Sequence, residues 1–341
     1  MLRGSRSIFM RYFGSKFTTL PRLGEILLQR VNKGTFCDPF GGIGTVGAYF
    51  KSLGFHVWTG DVLQFAHCFQ IARIHRQNVP SFRQVRSRLG LNSSKDVLEI
   101  LNKRKGRAGW FVEQYARKRR FFTVENARAI EWAWNTIHAW HKAGWLNREE
   151  NAVLIASLIH AMDQVANTAG TYYSFLKTWH RKAKRPFHMD WMRPTRGQFA
   201  GKCSLGSAET LVSQQAFDVL YLDPPYNERS YAHYYHLAET IAQGVHPQVH
   251  GISGIPDRGL ERSVFNDRSK AASSLEELLN EARFKWLAFH YADDGLIPRK
   301  TIRSILAKYG TFEEFVLYGR GYTTQNRERC VEHRLYLLKH D

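Results

Sequence analysis

Short apolar runs, rich in β-branched and aromatic residues, stand towards both ends of the chain and predict the strands of a buried sheet. They are Thr35-Phe36-Cys37, Phe55 to Gly60, Phe217 to Leu222, Lys285 to His290, Glu314 to Tyr318 and Val331 to Leu338. A glycine-rich turn and the helix-like stretch Val46 to Leu53 follow the first run, which is how a nucleotide-binding αβ unit opens. From about Ile74 to Asp190 the strand signals fade, and basic residues interleave with aromatics. One helix is expected there from about Val124 to Lys142, with Ile130, Trp134 and Ile137 on one face. A second begins with Asn147 and Glu150 spaced as a capping box and carries Val153, Leu154, Leu158, Met162 and Val165 at helical spacing. These stripes read as core rather than as recognition surface. The pattern predicts an α/β, Rossmann-like sheet made by residues 1–74 and 191–341, interrupted by a mainly helical insert over 75–190. Gly244 to Ser274 reads as a long linker, and the last two strands, joined by the polar turn Gly319 to Arg329, as a hairpin that closes the sheet.

Charge narrows the function. With 49 Lys and Arg against 30 Asp and Glu among 341 residues, the net charge of +19 predicts a polyanionic partner, nucleic acid first among them. A generally basic protein without such a partner is the alternative. Aromatic residues at 13% suit both a core and stacking on bases. The four cysteines, Cys37, Cys68, Cys203 and Cys330, are scattered without a CxxC pair, so reduced thiols and no metal site are expected. His246 and His250 lie in a loop with Gly and Pro and add no metal-ligand cluster. The start of the chain has Arg3 and Arg6 but no apolar signal-peptide core, and no run of about 18 apolar residues follows, so a cytoplasmic, non-membrane protein is expected.

Candidate chemistry sits where strands end. Asp223-Pro224-Pro225-Tyr226 follows the run that closes at Leu222, the position at which open α/β sheets bind ligands. The Asp223 carboxylate and the Pro224 carbonyl can both accept from one NH2 group, the prolines fix φ, and Tyr226 offers a ring face to a base. A proline-rich turn without chemistry is the plainer reading. Asp38 ends the first strand ahead of Pro39, Phe40, Gly41, Gly42 and Gly44. Such glycines would equally suit a pyrophosphate, but a carboxylate beside them repels phosphate and attracts a sulfonium or ammonium group. Asp61 ends the second strand and can accept both ribose hydroxyls or cap the helix that follows.

These segments, with Tyr12, Gly14, Ser15 and Lys16 near the amino terminus, resemble the Dam class of DNA adenine methylases, α-type enzymes with an Asp-Pro-Pro-Tyr motif. The order of parts is similar, and so is the continuation Asn227-x-Arg229-x-Tyr231. The resemblance implies a Rossmann-like methyltransferase sheet with S-adenosylmethionine held by Tyr12, Gly14, Ser15, Lys16, Asp38, Pro39, Phe40, Gly42, Gly44, Asp61 and Ser207. Ser207 stands near where the class commonly has an acid, and Glu209 is a substitute for it. The resemblance further implies catalysis by Asp223, Pro224, Pro225 and Tyr226, with transfer to N6 of an adenine flipped out of double-stranded DNA. The insert would be a target-recognition domain, with DNA contacts from Arg117, Lys118, Arg119, Arg120, Thr171, Tyr172, Lys177, Lys182, Lys184 and Arg185, joined by Asn227, Arg229 and Tyr231. A solvated basic face is the alternative for each cationic run. The setting implied is a restriction-modification system with a cognate restriction endonuclease encoded nearby, or an orphan methylase. Cytosine N4, adenine in RNA and a glutamine amide fit the motif too. A catalytically silent DNA-binding module is the rival of another kind, and the presence of Asp38, Asp61 and Asp223 together argues against it.

Overall fold

The apolar runs are strands: β1 (Thr35–Asp38), β2 (His56–Asp61), β3 (Lys202–Leu205), β4 (Ala216–Leu222), β5 (Arg283–Ala292), β6 (Gly310–Arg320) and β7 (Cys330–His340). The computed structural model describes residues 12, 14, 16–103, 106–320 and 330–340. The seven strands pair in the order β3-β2-β1-β4-β5-β7-β6. Neighbours from β3 to β5 run parallel, while β7 is antiparallel to both β5 and β6. The expected closing hairpin is therefore β6 and β7.

Side chains along β4 explain why its run lacks alternation. Val219 and Tyr221 pack with Leu23, Phe36, Phe50 and Leu335 in one core, and Phe217, Leu220 and Leu222 pack with Leu275, Leu278, Leu287 and Ile302 in the other. Both faces are buried, as parallel sheets require. The chain runs outward from β1 to β2 and β3, then returns to lay β4 against the other side of β1. The carboxyl ends of β1 and β4 therefore adjoin where the strand order reverses, the usual place for a ligand in an open α/β sheet.

The chain divides into two compact units. The sheet and its helices take 16–78, 194–231 and the described residues from 261 onward. The other unit takes 79–193 and 232–260 with Tyr12 and Gly14, so residues on both sides of Asp223-Pro224-Pro225-Tyr226 join the stretch read as an insert. It is helical. Val124–Lys142 and Arg148–Gln164 occupy the expected places, and the Asn147 side chain accepts from Glu150 N at 2.8 Å while Glu150 Oε2 accepts from Asn147 N at 3.1 Å. Buried Glu131 accepts from the backbone N–H groups of Gly109 and Phe111 and so caps the turn entering Trp110 to Arg117.

The stretch 244–274 is not a plain linker. A two-stranded ribbon joins Val249–His250 to Ile255–Pro256, a single turn forms at Val264–Asn266, and a helix runs over Ala271–Glu281. Its Ala271, Leu275, Leu278 and Leu279 are buried, a helical spacing that Ser273 and Ser274 obscure in the sequence.

Candidate active site

Three carboxylates gather along the carboxyl edge of three adjacent strands, Asp61 at the end of β2, Asp38 at the end of β1 and Asp223 just beyond β4. Asp38 is buried, and its Oδ1 has no hydrogen-bond partner among the described residues. Burial, then the charges of Asp223 and Asp61, push its carboxyl well above the usual range. A backbone hydrogen bond from Phe40 and the charge of Lys16 offset part of that rise, and the unpartnered Oδ1 remains costly to bury unless a cation or donor meets it. Asp223 is also pushed up by burial, but Lys16 opposes that rise, its Nζ lying 2.6 Å from Asp223 Oδ2. Lys16 itself is only 6% exposed. The sequence reading placed it beside the cofactor; it is the direct partner of the Asp-Pro-Pro-Tyr acid.

The glycine turn between β1 and the helix Thr45–Ser52 is held close to the end of β2. Gly41 N donates to Gly60 O at 2.9 Å, Gly42 N donates to Asp61 Oδ2 at 3.0 Å, and Gln70 Nε2 donates to Gly42 O at 2.9 Å. A Cβ at Gly41 would lie 2.0 Å from Thr59 Oγ1, and Gly44 has φ +74°, so the turn tolerates no side chain at the first and strains one at the second. Asp61 Oδ1 accepts from Leu63 N at 2.9 Å, which makes Asp61 a structural strut as well as a candidate ribose ligand. The exposed Val62 beyond it adds an apolar surface. The donor set suits S-adenosylmethionine: a buried carboxylate with one unpartnered oxygen for a cation, a glycine cradle for close approach, and a second acid one strand away.

Sequence reasoning missed the support behind the motif. Tyr221 Oη and His290 Nδ1 are 2.9 Å apart, both fully buried, and the His290 and His333 rings meet edge to face at 5.2 Å. Burial and then Lys16 hold both imidazoles down, His333 to about 4, so both are neutral near pH 7. Tyr226 sits edge-on to His333 and Tyr291, which fixes its ring at the foot of the motif. A histidine inside the apolar run Phe289-His290-Tyr291 is the signal that could have pointed here.

The remaining expected residues fall into groups. Pro39 is buried, Phe40 and Pro225 are partly buried, and Pro224 is buried. Ser207 is exposed and caps the helix Ala208–Val212, accepting from Thr210 N. Tyr12 stacks on Tyr235 at 5.0 Å, and it and Gly14 belong to the helical unit; Ser15 lies outside the described residues. After the motif, Asn266 Nδ2 donates to the carbonyls of Asn227 and Arg229, leaving the Arg229 side chain exposed and Tyr231 partly buried. In the helical unit Arg117, Lys118, Arg120, Lys177, Lys184 and Arg185 are exposed, and Thr171 and Lys182 partly so. Arg119 and Tyr172 are different: they are buried, Arg119 on the carbonyls of Gly251 and Gln114, and Tyr172 with backbone bonds to Tyr234 and His236. Both side chains are therefore buried where the sequence reading expected a DNA-facing surface, Arg119 because its guanidinium holds the loop at Gly251 and Tyr172 because its ring packs inside its unit. Among the described residues no three His, Cys, Asp or Glu side chains are grouped as metal ligands, and no helix is long and apolar enough to cross a membrane.

A mostly parallel sheet that reverses at β1 and β4, with acids and a glycine cradle on that edge, defines a Rossmann-like protein of the methyltransferase class. The chain belongs to the D12 class N6 adenine-specific DNA methyltransferase family, whose model matches residues 12–292. It is similar to the type II methyltransferase M.FokI of Planomicrobium okeanokoites, with 29% identity over 338 residues, 96% of this chain and 52% of that protein. It is 28% identical to modification methylase StsI of Streptococcus sanguinis, over 88% of this chain and 46% of that protein. The chain thus spans about half the length of those two relatives. Against the type II methyltransferase M.NlaIII of Neisseria lactamica it is 26% identical over 89% of this chain and 90% of that one.

Proposed function

We propose that this chain transfers a methyl group from S-adenosylmethionine to the exocyclic N6 of adenine in double-stranded DNA at a specific site, as the modification component of a restriction-modification system. The carrying observation is the meeting of Asp38 and Asp223 at the reversal of strand order, one acid with a buried oxygen left unpartnered and the other set in the Asp-Pro-Pro-Tyr motif. Family membership supports the substrate, and names such as M.FokI and StsI support the restriction-modification setting. A cognate restriction endonuclease encoded nearby is part of this reading.

When bound, S-adenosylmethionine supplies a methyl group on a positively charged sulfur. Asp38 would hold the cationic part of the cofactor, and Asp61 would accept from its ribose hydroxyls. Asp223 and the Pro224 carbonyl accept the two N–H bonds of the adenine amine, which turns the nitrogen lone pair towards the methyl carbon. Tyr226, fixed by its edge contacts, stacks on the base. The imidazoles of His290 and His333 are neutral, so neither adds a cation beside the Lys16 charge that acts on Asp223 and Asp38. Extrusion of the adenine costs about a few kcal/mol, which cationic contacts to the phosphates offset.

Incubation with radiolabelled S-adenosylmethionine and unmethylated genomic DNA, followed by nucleoside analysis and single-molecule sequencing, tests the proposal. Label in N6-methyladenine at one sequence motif is expected. Label in N4-methylcytosine or RNA would move the substrate, and no label in any nucleic acid would sink the reading.

A further inference from the structure

The helical unit carries an apolar side chain with no part in the chemistry above. Ile252 is 77% exposed at the tip of the ribbon's turn, Gly251-Ile252-Ser253-Gly254, and a lone exposed isoleucine would ordinarily mean nothing. This turn, however, is fixed from beneath by buried groups. Arg119 donates to Gly251 O through Nε at 3.2 Å and through its terminal nitrogen at 2.9 Å, and Tyr115 Oη donates to Gly254 O at 2.9 Å. Gly251 and Gly254 both have φ +66°, and a Cβ on Gly254 would meet Arg119 Nε at 2.8 Å. Burying a guanidinium is costly, and here its fork grips the carbonyl at one end of an exposed turn. Ser253 donates to Tyr173 O, which ties the turn to a second exposed ring, Tyr173 at 53%. Cations flank the same place: Arg119 is continuous with exposed Arg117, Lys118 and Arg120, and Arg120 donates to Lys177 O and lies over Trp179.

A fixed apolar tip held by a residue whose chain neighbours are exposed cations fits a duplex better than a protein groove, since phosphates meet the cations and an apolar group enters the dry base stack. We propose that Ile252 is a wedge that enters the base stack of duplex DNA as the target adenine leaves it, with Arg119 and Tyr115 as the residues that position it. The proposal rests on the methyltransferase reading for its choice of DNA as partner.

The test compares wild type, Ile252→Ala and Ile252→Leu in single-turnover methylation of a duplex bearing the motif returned by the labelling experiment. The same duplex with an abasic site opposite the adenine, whose extrusion is already cheap, is the control. Ile252→Ala should be slowed about tenfold or more on the intact duplex and fall within about twofold of wild type on the abasic one; Ile252→Leu should stay near wild type on both. Equal rates for Ile252→Ala and wild type on the intact duplex would overturn the wedge, as would an equal loss on both duplexes. Permanganate mapping of unstacked thymines on plasmid DNA reads the wedge without methyl transfer. Sites reactive with wild type and lost with Ile252→Ala support it even if no methylation occurs, an outcome that would instead sink the methyltransferase reading; reactivity unchanged by the substitution overturns it.

Discussion

Replacing Lys16 by Met removes the cation from Asp223 while keeping most of the volume. At 2.6 Å the pair attracts by about 6 kcal/mol at an effective dielectric of about 20. Deleting one partner of a buried pair typically costs about 3–5 kcal/mol. Asp223 keeps 16% of its side-chain surface open to water, which places Lys16→Met at the lower end, about 3 kcal/mol in urea unfolding near pH 7. Lys16 is the main influence lowering the Asp223 pKa, so its loss lets burial push that pKa higher still. Two signatures follow in pH. The ionised carboxylate is the form that destabilises the variant, so its stability deficit against wild type shrinks as pH falls through the raised pKa and is absent once Asp223 is protonated in both folded and unfolded states. In the proposed reaction the ionised acid accepts from the amine, so the acid limb of the single-turnover rate should move to higher pH. Lys16→Met/Asp223→Asn should recover stability to within about 1 kcal/mol of wild type and remain inactive, because the lone charge is gone from both sides. A Lys16→Met variant with wild-type stability and an unmoved acid limb would refute the assignment of Lys16 as the group that tunes Asp223.

Asp223→Ala should lower methyl transfer by about 100-fold or more while leaving DNA affinity within a few-fold, checked by single-turnover kinetics and filter binding. Asp38→Asn removes a buried charge repelled by two neighbours, so calorimetry should show a protein more stable by about 1 kcal/mol, and titration should show weakened S-adenosylmethionine binding. Arg119→Ala should cost about 2 kcal/mol in stability through its lost carbonyl contacts, whereas Arg120→Ala should leave stability nearly unchanged and reduce the salt slope of DNA binding by about 1. Equal salt slopes for wild type and Arg120→Ala would make that patch a solvated face.

Local signals were legible where the residues decide structure by themselves. The Asn147 and Glu150 pair caps its helix as the spacing says, and β1, β2 and β4 stand on their apolar runs because both sheet faces are covered. The three acids were readable for the same reason, each standing at or just beyond the end of a strand. What escaped the sequence depends on chain segments far apart. Nothing near Lys16 says that its charge meets Asp223, and Arg119 sits in a run of four cations that looks uniformly exposed. Its burial is decided by Gly251, whose carbonyl needs a donor and whose neighbourhood was read as a linker. The helices Leu20–Leu28 and Arg299–Leu306 were passed over as well, their short apolar stripes taking meaning only once the sheet they cover exists.

The helical unit is assembled from residues on both sides of the Asp-Pro-Pro-Tyr motif, with Arg119 and Tyr115 from one stretch gripping Gly251 and Gly254 from the other. The helical unit is therefore not a portable cassette in this chain. A chimera that exchanged only 79–193 with a relative would pair a foreign clamp with the resident turn, and one that exchanged only 232–260 would do the reverse. Divergence of this unit has to change the two stretches in step, and an engineer exchanging it between relatives has to move both.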